Sequence, residues 1–307
     1  MKHLLGLAEL SSAEITQILD LAREMKAQIE GSEKKSSSLF GKSIVNLFYE
    51  NSTRTRLSFE LAGNYLSADV ANIAAAGSSV AKGESLIDTA KTVDAMAVDV
   101  IVIRHQNSGA AKLVAENVGA SVINAGDGMN EHPTQALLDV FTIRERKGEI
   151  AGLKVAIVGD IAHSRVARSN IYGLTKMGAN VALCAPRTLV PPGIEQLSQL
   201  PGKCEIFSKV ENAVREADVI MTLRIQQERL KSALFPSLSE YARWFGINDE
   251  RLALAKPDAI VLHPGPANRG VEITSAVADC ELSVIGEQVT NGVAIRMAVL
   301  KQLTMDN

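Results

Sequence analysis

The sequence predicts an α/β fold of two domains, each a mainly parallel sheet flanked by helices, with a polar site at the carboxyl ends of the strands between the domains. Three observations predict it. Nine short apolar runs rich in β-branched residues alternate with helix-periodic segments, the pattern of βαβ units. Several of these runs lack polar alternation, as strands buried on both faces do. The arginines, histidines and glutamines gather just after the runs, where open parallel sheets bind ligands.

The first element is a helix. Ser11 or Ser12 can cap it, Glu14 sits in its first turn, and Ile15, Ile18, Leu19 and Leu21 form a helical stripe. After a small polar patch at 31–38, the runs fall at 43–49, 70–74, 98–103, 121–124, 154–158, 180–184, 205–208, 219–223 and 259–262. Four precede position 130 and five follow position 150. Between them, 132–148 reads as one helix that Gly148 ends. The stretch 291–303 is a last apolar-periodic helix. The expected organisation is a first domain at 1–131, a joining helix at 132–148 and a second domain at 149–286, with a terminal helix at 287–307 packing back on the first domain.

Bulk properties narrow the function. The chain has 307 residues, 46% hydrophobic and 22% charged, with net charge −3 and pI about 6.0. This is ordinary globular composition with no basic excess, so nucleic acid is not expected as a main partner. Any anionic ligand must be held by a local concentration of basic groups. Cys184, Cys204 and Cys280 are far apart and odd in number, which fits reduced thiols in a cytosolic protein. The apolar core of the N-terminal segment is too short for a signal peptide, and no run approaches the roughly 20 residues that span a bilayer. The expected location is cytoplasmic, with no membrane partner.

Six of the strand ends carry Arg, His or Gln, and four of the five histidines lie there. After the first run comes Asn51-Ser52-Thr53-Arg54-Thr55-Arg56, a helix N-terminus with exposed backbone N–H groups and three hydroxyl donors. Two positions on a helix is about 200° of rotation, so Arg54 is assigned to an anion and Arg56 to a structural ion pair. A well-capped helix with surface arginines fits this stretch about equally. His132-Pro133-Thr134-Gln135 opens the joining helix, and His132 and Gln135 share a face. They suit a small carbonyl-and-amine group, although a capping histidine and a solvated glutamine are the commoner outcome. Arg165, Arg224 and Gln226 follow runs of the second half. Arginine matches carboxylates bidentately, so a dicarboxylate fits; edge salt bridges fit as well. The loop 77–84 bears Lys82 and reads as a mobile cation carrier or as a solvated loop. After Val158-Gly159-Asp160 no GxGxxG follows, and Walker A, nucleophile-elbow and metal-ligand spacings are missing. No cofactor and no metal are expected.

Ser52-Thr53-Arg54-Thr55-Arg56, His132-Pro133-Thr134-Gln135, and His263-Pro264-Gly265-Pro266 with Arg269-Gly270-Val271-Glu272-Ile273 resemble, in order and over essentially the whole chain, the aspartate/ornithine carbamoyltransferase family. The ornithine branch's His-Cys-Leu-Pro and Asp-x-x-x-Ser-Met-Gly motifs are missing, and Leu223-Arg224-Ile225-Gln226 looks like the aspartate branch's carboxylate motif. Gly265 stands where many relatives have leucine or alanine.

The resemblance implies carbamoyl transfer from carbamoyl phosphate to L-aspartate, a step of pyrimidine synthesis. It implies that Ser52, Thr53, Arg54 and Thr55 hold the phosphate, that Thr55, Arg104 and His132 surround the carbonyl oxygen, and that Gln135 with backbone near Gly265 and Pro266 takes the carbamoyl amine. Arg165, Arg224 and Gln226 would bind aspartate. Ser78 and Lys82 would enter from the neighbouring subunit of a homotrimer, Ser78 toward carbamoyl phosphate and Lys82 as a catalytic and aspartate-binding group. A regulatory chain or another pyrimidine-pathway partner is compatible with it. The rival readings are transfer to another amine such as ornithine, a non-catalytic anion-binding relative, and a nucleotide-binding dehydrogenase.

Overall fold

The computed structural model describes residues 1–74, 84–225 and 237–305. Ser78, Lys82 and Gln226 lie outside the described residues. The chain forms two compact units, 1–138 with 290–307, and 139–289.

The first unit holds a four-stranded parallel sheet in the order β2-β1-β3-β4. Its strands are β1 (Ser43–Phe48), β2 (Asp69–Ala74), β3 (Val100–His105) and β4 (Ser121–Asp127). Helices α1 (Ser12–Glu30), α2 (Thr53–Tyr65), α3 (Leu86–Asp94) and α4 (Ala110–Ala115) alternate with them. Every residue of β4 is buried, as are Val100–Ile103 of β3, which explains the lack of polar alternation. Val45, Leu47, Ile101, Ile103 and Val122 pack with Ala90, Val93, Ala111 and Val114 in one core cluster. β3 begins two residues later than its apolar run, and Asp99 there ties the amino ends of β1 and β3 together. Its carboxylate accepts from Ser43 N at 2.8 Å and from Lys42 Nζ at 2.9 Å.

The second unit holds a five-stranded parallel sheet in the order β7-β6-β5-β8-β9. The strands are β5 (Lys154–Val158), β6 (Asn180–Cys184), β7 (Lys203–Phe207), β8 (Val219–Thr222) and β9 (Ile260–Leu262). The helices of its sequence are α6 (Arg165–Lys176), α7 (Val210–Val214), α8 (Leu238–Phe245), α9 (Asp249–Leu252) and α10 (Ser275–Ala278). Ala156, Val158, Ala182, Ile220 and Val261 pack with Val210, Val214, Ile247, Ile273 and Val277.

Two further helices, α5 (Pro133–Lys147) and α11 (Ile285–Met305), each contribute residues to both units. Gly148 follows α5 with a φ of +79°, a left-handed stop that glycine takes without a Cβ penalty. α11 begins six residues before its expected start. In its first-unit part the Arg296 guanidinium lies 5.1 Å from the ring of Phe59, which α2 buries completely.

Each sheet has one place where the strand order reverses, between β1 and β3 in the first and between β5 and β8 in the second. At such a switch point the connecting chains leave to opposite sides and open a crevice beyond the carboxyl ends.

Candidate active site

In the first unit the sequence-predicted groups gather at the carboxyl ends of three adjoining strands: Ser52–Thr55 after β1, Arg104 as the penultimate residue of β3, and His132 and Gln135 after β4. Ser52 is the N-cap of α2, with extended backbone at φ −158°. Its side chain makes no cap hydrogen bond and instead donates from Oγ to Thr55 Oγ1 at 2.9 Å. The positive end of the helix is thus left without its own side-chain cap, the condition under which an external anion fits. Thr55 is buried. Arg56, expected in a structural ion pair, has no carboxylate partner among the described residues. It lies about 200° around the helix from Arg54 and is half-buried.

Arg104 is fixed from two sides. Its Nη2 donates to Glu50 Oε1 at 2.8 Å and its Nη1 to the carbonyl of Ala125 at 3.2 Å. Glu50 spans the switch point, from the end of β1 to β3. Next to it, the rings of Tyr49 and His105 lie 5.0 Å apart. His105 Nδ1 accepts from Asn107 N at 2.9 Å, and burial pushes the imidazole pKa down.

His132 and Gln135 are both buried, and His132's carbonyl accepts from Gln135 N at 3.0 Å as α5 begins. The turn before them is built from acidic groups. Asp127 Oδ1 accepts from Asn124 Nδ2 at 2.8 Å and Glu131 N at 3.1 Å, and its Oδ2 accepts from Gly109 N at 2.7 Å. The buried Glu131 carboxylate accepts from Leu7 N at 2.7 Å and Ala8 N at 3.2 Å. Gly6 is required there, since a Cβ on it would lie 2.1 Å from Glu131 Oε1. Sequence reading missed Glu50, Asp127 and Glu131 as site-forming groups. Their partners lie up to 124 residues away, and only the acidic residues beside strand ends hinted at them.

In the second unit Arg165 opens α6 after β5, Arg224 follows β8, and Gly265 and Pro266 follow β9, again three adjoining strand ends. Gly159 follows β5 at φ +144°, and a Cβ there would lie 2.6 Å from Leu223 Cβ. The glycine therefore lets the ends of β5 and β8 approach, bringing the chain segments of Arg165 and Arg224 to one edge of the sheet. Arg165 is buried although charged. Ser164 caps α6, accepting from Ala167 N at 3.1 Å. Asp160 holds His163 through Nδ1 at 2.9 Å. Gly265 has φ +61°, so glycine avoids the strain that leucine or alanine would carry at this position.

The cysteine thiols take no part in either cluster. Cys184 and Cys204 are buried in β6 and β7, and burial pushes both thiols up to about 12. Among the described residues no group of three or more His, Cys, Asp or Glu is placed to hold a metal ion, and no helix is long and apolar enough to cross a membrane.

Known proteins share this arrangement over almost the whole chain. Residues 2–145 match the carbamoyl-P binding domain of aspartate/ornithine carbamoyltransferases, and residues 151–303 match the Asp/Orn binding domain. The aspartate carbamoyltransferase catalytic subunit of Acetivibrio thermocellus is 63% identical, over 99% of this chain and 96% of its own. That of Ruminiclostridium cellulolyticum is 62% identical, over 99% of this chain and 95% of its own. Among solved structures, ornithine carbamoyltransferase from Pyrococcus furiosus is 32% identical with a TM-score of 0.89, covering 100% of this chain and 97% of that one. Aspartate transcarbamoylase from Trypanosoma cruzi in complex with carbamoyl phosphate and aspartate is 32% identical with a TM-score of 0.89, covering 98% and 96%. Both branches thus share the backbone equally, and it is sequence that separates them. From its strand-end clusters to its two matched domains, the chain belongs to the aspartate/ornithine carbamoyltransferase family.

Proposed function

We propose that the chain transfers the carbamoyl group of carbamoyl phosphate to the α-amine of L-aspartate, giving N-carbamoyl-L-aspartate and phosphate. The observation that carries this reading is the identity of 57–63% to catalytic subunits of aspartate carbamoyltransferases over at least 97% of the chain. The strand-end chemistry supports it. Ser52, Thr53, Arg54, Thr55 and the N-terminus of α2 bind the phosphate. Thr55, Arg104 and His132 stabilise the negative charge that grows on the carbonyl oxygen in the tetrahedral intermediate. Gln135 and the backbone near Gly265 and Pro266 take the carbamoyl NH₂. Arg165, Arg224 and Gln226 bind the two aspartate carboxylates.

The α-amine nitrogen attacks the carbonyl carbon directly, the carbon–oxygen bond to phosphate breaks, and the departing phosphate accepts the amine proton. No covalent enzyme intermediate is involved, so catalysis is positioning and electrostatics. The reaction is the pyrimidine-pathway step, carried out in the cytoplasm by a homotrimer in which Ser78 and Lys82 serve the neighbouring subunit's site. Support for the trimer is the family resemblance of the lysine-bearing loop. Mixing Arg54→Ala and Lys82→Ala subunits, each nearly inactive, is expected to restore part of the activity; no restoration removes the shared site.

The deciding experiment measures product from carbamoyl phosphate with L-aspartate and, separately, L-ornithine. Carbamoyl-aspartate without citrulline is expected. Citrulline would keep the phosphate site and overturn the roles of Arg224 and Gln226. No product from either amine, in folded protein, would favour a non-catalytic anion-binding relative.

A further inference from the structure

The second unit contains a polar chain, buried at His263 and Glu272 and half-buried at Asn268, that ties the loop after β9 to the segment after β8. His263 follows β9, and its ring is completely buried. Its Nδ1 accepts from Gly265 N at 2.7 Å, which fixes the tautomer: the proton is on Nε2, which donates to Glu272 Oε1 at 3.1 Å. Glu272 is only 1% exposed. Its Oε1 also accepts from Asn268 N at 2.6 Å, and its Oε2 accepts from Asn268 Nδ2 at 3.2 Å. The same Asn268 amide donates its other proton to the carbonyl of Ile225 at 3.1 Å. Ile225 is the residue after Arg224. From the other side, His263 N donates to Gln288 Oε1 at 2.9 Å, and Gln288 Nε2 donates to Asp139 Oδ1 at 2.8 Å.

A buried carboxylate surrounded by donors is costly to build and is retained where it fixes a geometry. Here one carboxylate holds both ends of the Gly265–Pro266 loop, through His263 on one side and Asn268 on the other. Asn268 then extends that hold to the backbone beside Arg224.

We infer that Glu272 and Asn268 are positioning residues that set the Arg224 segment against the Gly265–Pro266 loop, so that specificity for the acceptor amino acid depends on this brace. The inference rests on the functional reading above. Neither residue touches substrate; each acts through the backbone it holds.

The chemistry dictates a selective test. Asn268→Ala removes the bond to Ile225 but keeps the Asn268 backbone bond to Glu272, so the β9 loop retains its anchor. Glu272→Gln keeps one acceptor oxygen for His263 Nε2 and Asn268 N, but turns an NH₂ toward the Asn268 amide. Asn268 can satisfy that NH₂ only by flipping its own oxygen into place, which points an oxygen toward it and withdraws the donor from Ile225. Both variants should therefore break the same link.

Steady-state kinetics with L-aspartate at saturating carbamoyl phosphate, and inhibition by inorganic phosphate, are measured on the full chain with thermal melts of each variant. Each single variant is expected to raise the KM for L-aspartate about tenfold, the size of one lost hydrogen bond, with kcat and phosphate inhibition little changed. The double variant is expected to be no worse than either single, because both act on one link. Unchanged aspartate KM in folded Asn268→Ala protein overturns the inference, as does a double variant whose loss is the product of the two. If Glu272→Gln does not fold, Asn268→Ala alone decides. An inactive wild type would sink the functional reading and this inference with it, whereas an active wild type with equally active variants sinks the inference alone.

Discussion

α2 and α6 occupy equivalent places. Each follows the strand on one side of its sheet's switch point, and each is preceded by a serine, Ser52 or Ser164. The serines behave differently. Ser164 caps its helix through Ala167 N at 3.1 Å, whereas Ser52 turns its hydroxyl to Thr55 and leaves α2 without a side-chain cap. Capping is common among the described helices: Ser11, Ser85, Ser237, Asn248 and Thr274 also cap theirs, whereas the short α4 and α7, preceded by Gly109 and Lys209, have no side-chain cap. What sets α2 apart is that a serine stands at its N-cap and turns away; on the function proposed above, the contrast with Ser164 divides the work of anion binding between the two clusters. On that reading the end of α2 itself is offered to phosphate. The end of α6 is satisfied internally, and on the same reading the carboxylates fall to guanidinium groups, with Arg165 as the first residue of the capped helix.

The largest test of this contrast is charge removal. Arg54→Ala is expected to lower kcat by about 10²–10³-fold, the loss of about 3–4 kcal/mol of transition-state stabilisation that accompanies a lost oxyanion donor. Unchanged turnover removes Arg54 from the mechanism. Arg165→Lys keeps the charge but loses the planar fork, so it is expected to raise the KM for L-aspartate by about tenfold or more while inhibition by phosphate stays unchanged. An equal rise in the phosphate inhibition constant would break the division between the halves.

The serines sharpen it. Ser164→Ala is expected to cost about 1 kcal/mol of stability, as lost N-caps do. That lowers the melting temperature by about 2–4 °C in a unit of this size. Ser52→Ala has no cap to lose, so its melt is expected to match wild type within a degree or so while phosphate inhibits less well. If Ser52→Ala instead destabilises like Ser164→Ala and binds phosphate normally, α2 is an ordinary capped helix and the contrast is gone.

The fold was legible for a physical reason. Strands buried on both faces must be continuous apolar runs, and the central strands read as such; the exposed edge strands β2 and β7 are marked by β-branched residues instead, and all nine strands fall within a few residues of their runs. The errors fall where a polar residue does a sheet's work: Asp99 binds Ser43 and Lys42 at the mouth of β3, and Asp127 extends β4 three residues past its apolar run. The site was legible as a set of strand ends, because residue type and position beyond a strand are local properties. Its supports were not. That Glu131 accepts from Leu7, or that Ser52 prefers Thr55 to its own helix, depends on tertiary neighbours and on a rotamer, and periodicity carries neither. Gln226, Ser78 and Lys82 remain proposals drawn from motif alone.

The smallest test concerns how dry the end of β3 is beside Arg104. His105 is buried there, its Nδ1 accepting from Asn107 N, and burial holds its pKa below the usual 6.5. The neighbouring Asp127 and Glu50 carboxylates oppose that shift without reversing it. The sign follows from linkage. Below about pH 6.5 the unfolded chain takes up a proton that the folded imidazole resists, so stability falls as the pH drops from 6.5 through the lowered folded value; above 6.5 both forms are neutral and the residue contributes no slope. His105→Gln removes this proton uptake. Its melting temperature is therefore expected to fall less steeply than that of wild type between pH 7 and 5, even if its value at pH 7.5 is lower because the Asn107 bond is weakened. Parallel slopes would mean that His105 is as well solvated folded as unfolded. The polar end of β3 would then be wet, and the field from α2 and Arg104 on a bound phosphate would be screened by water rather than concentrated at the helix end.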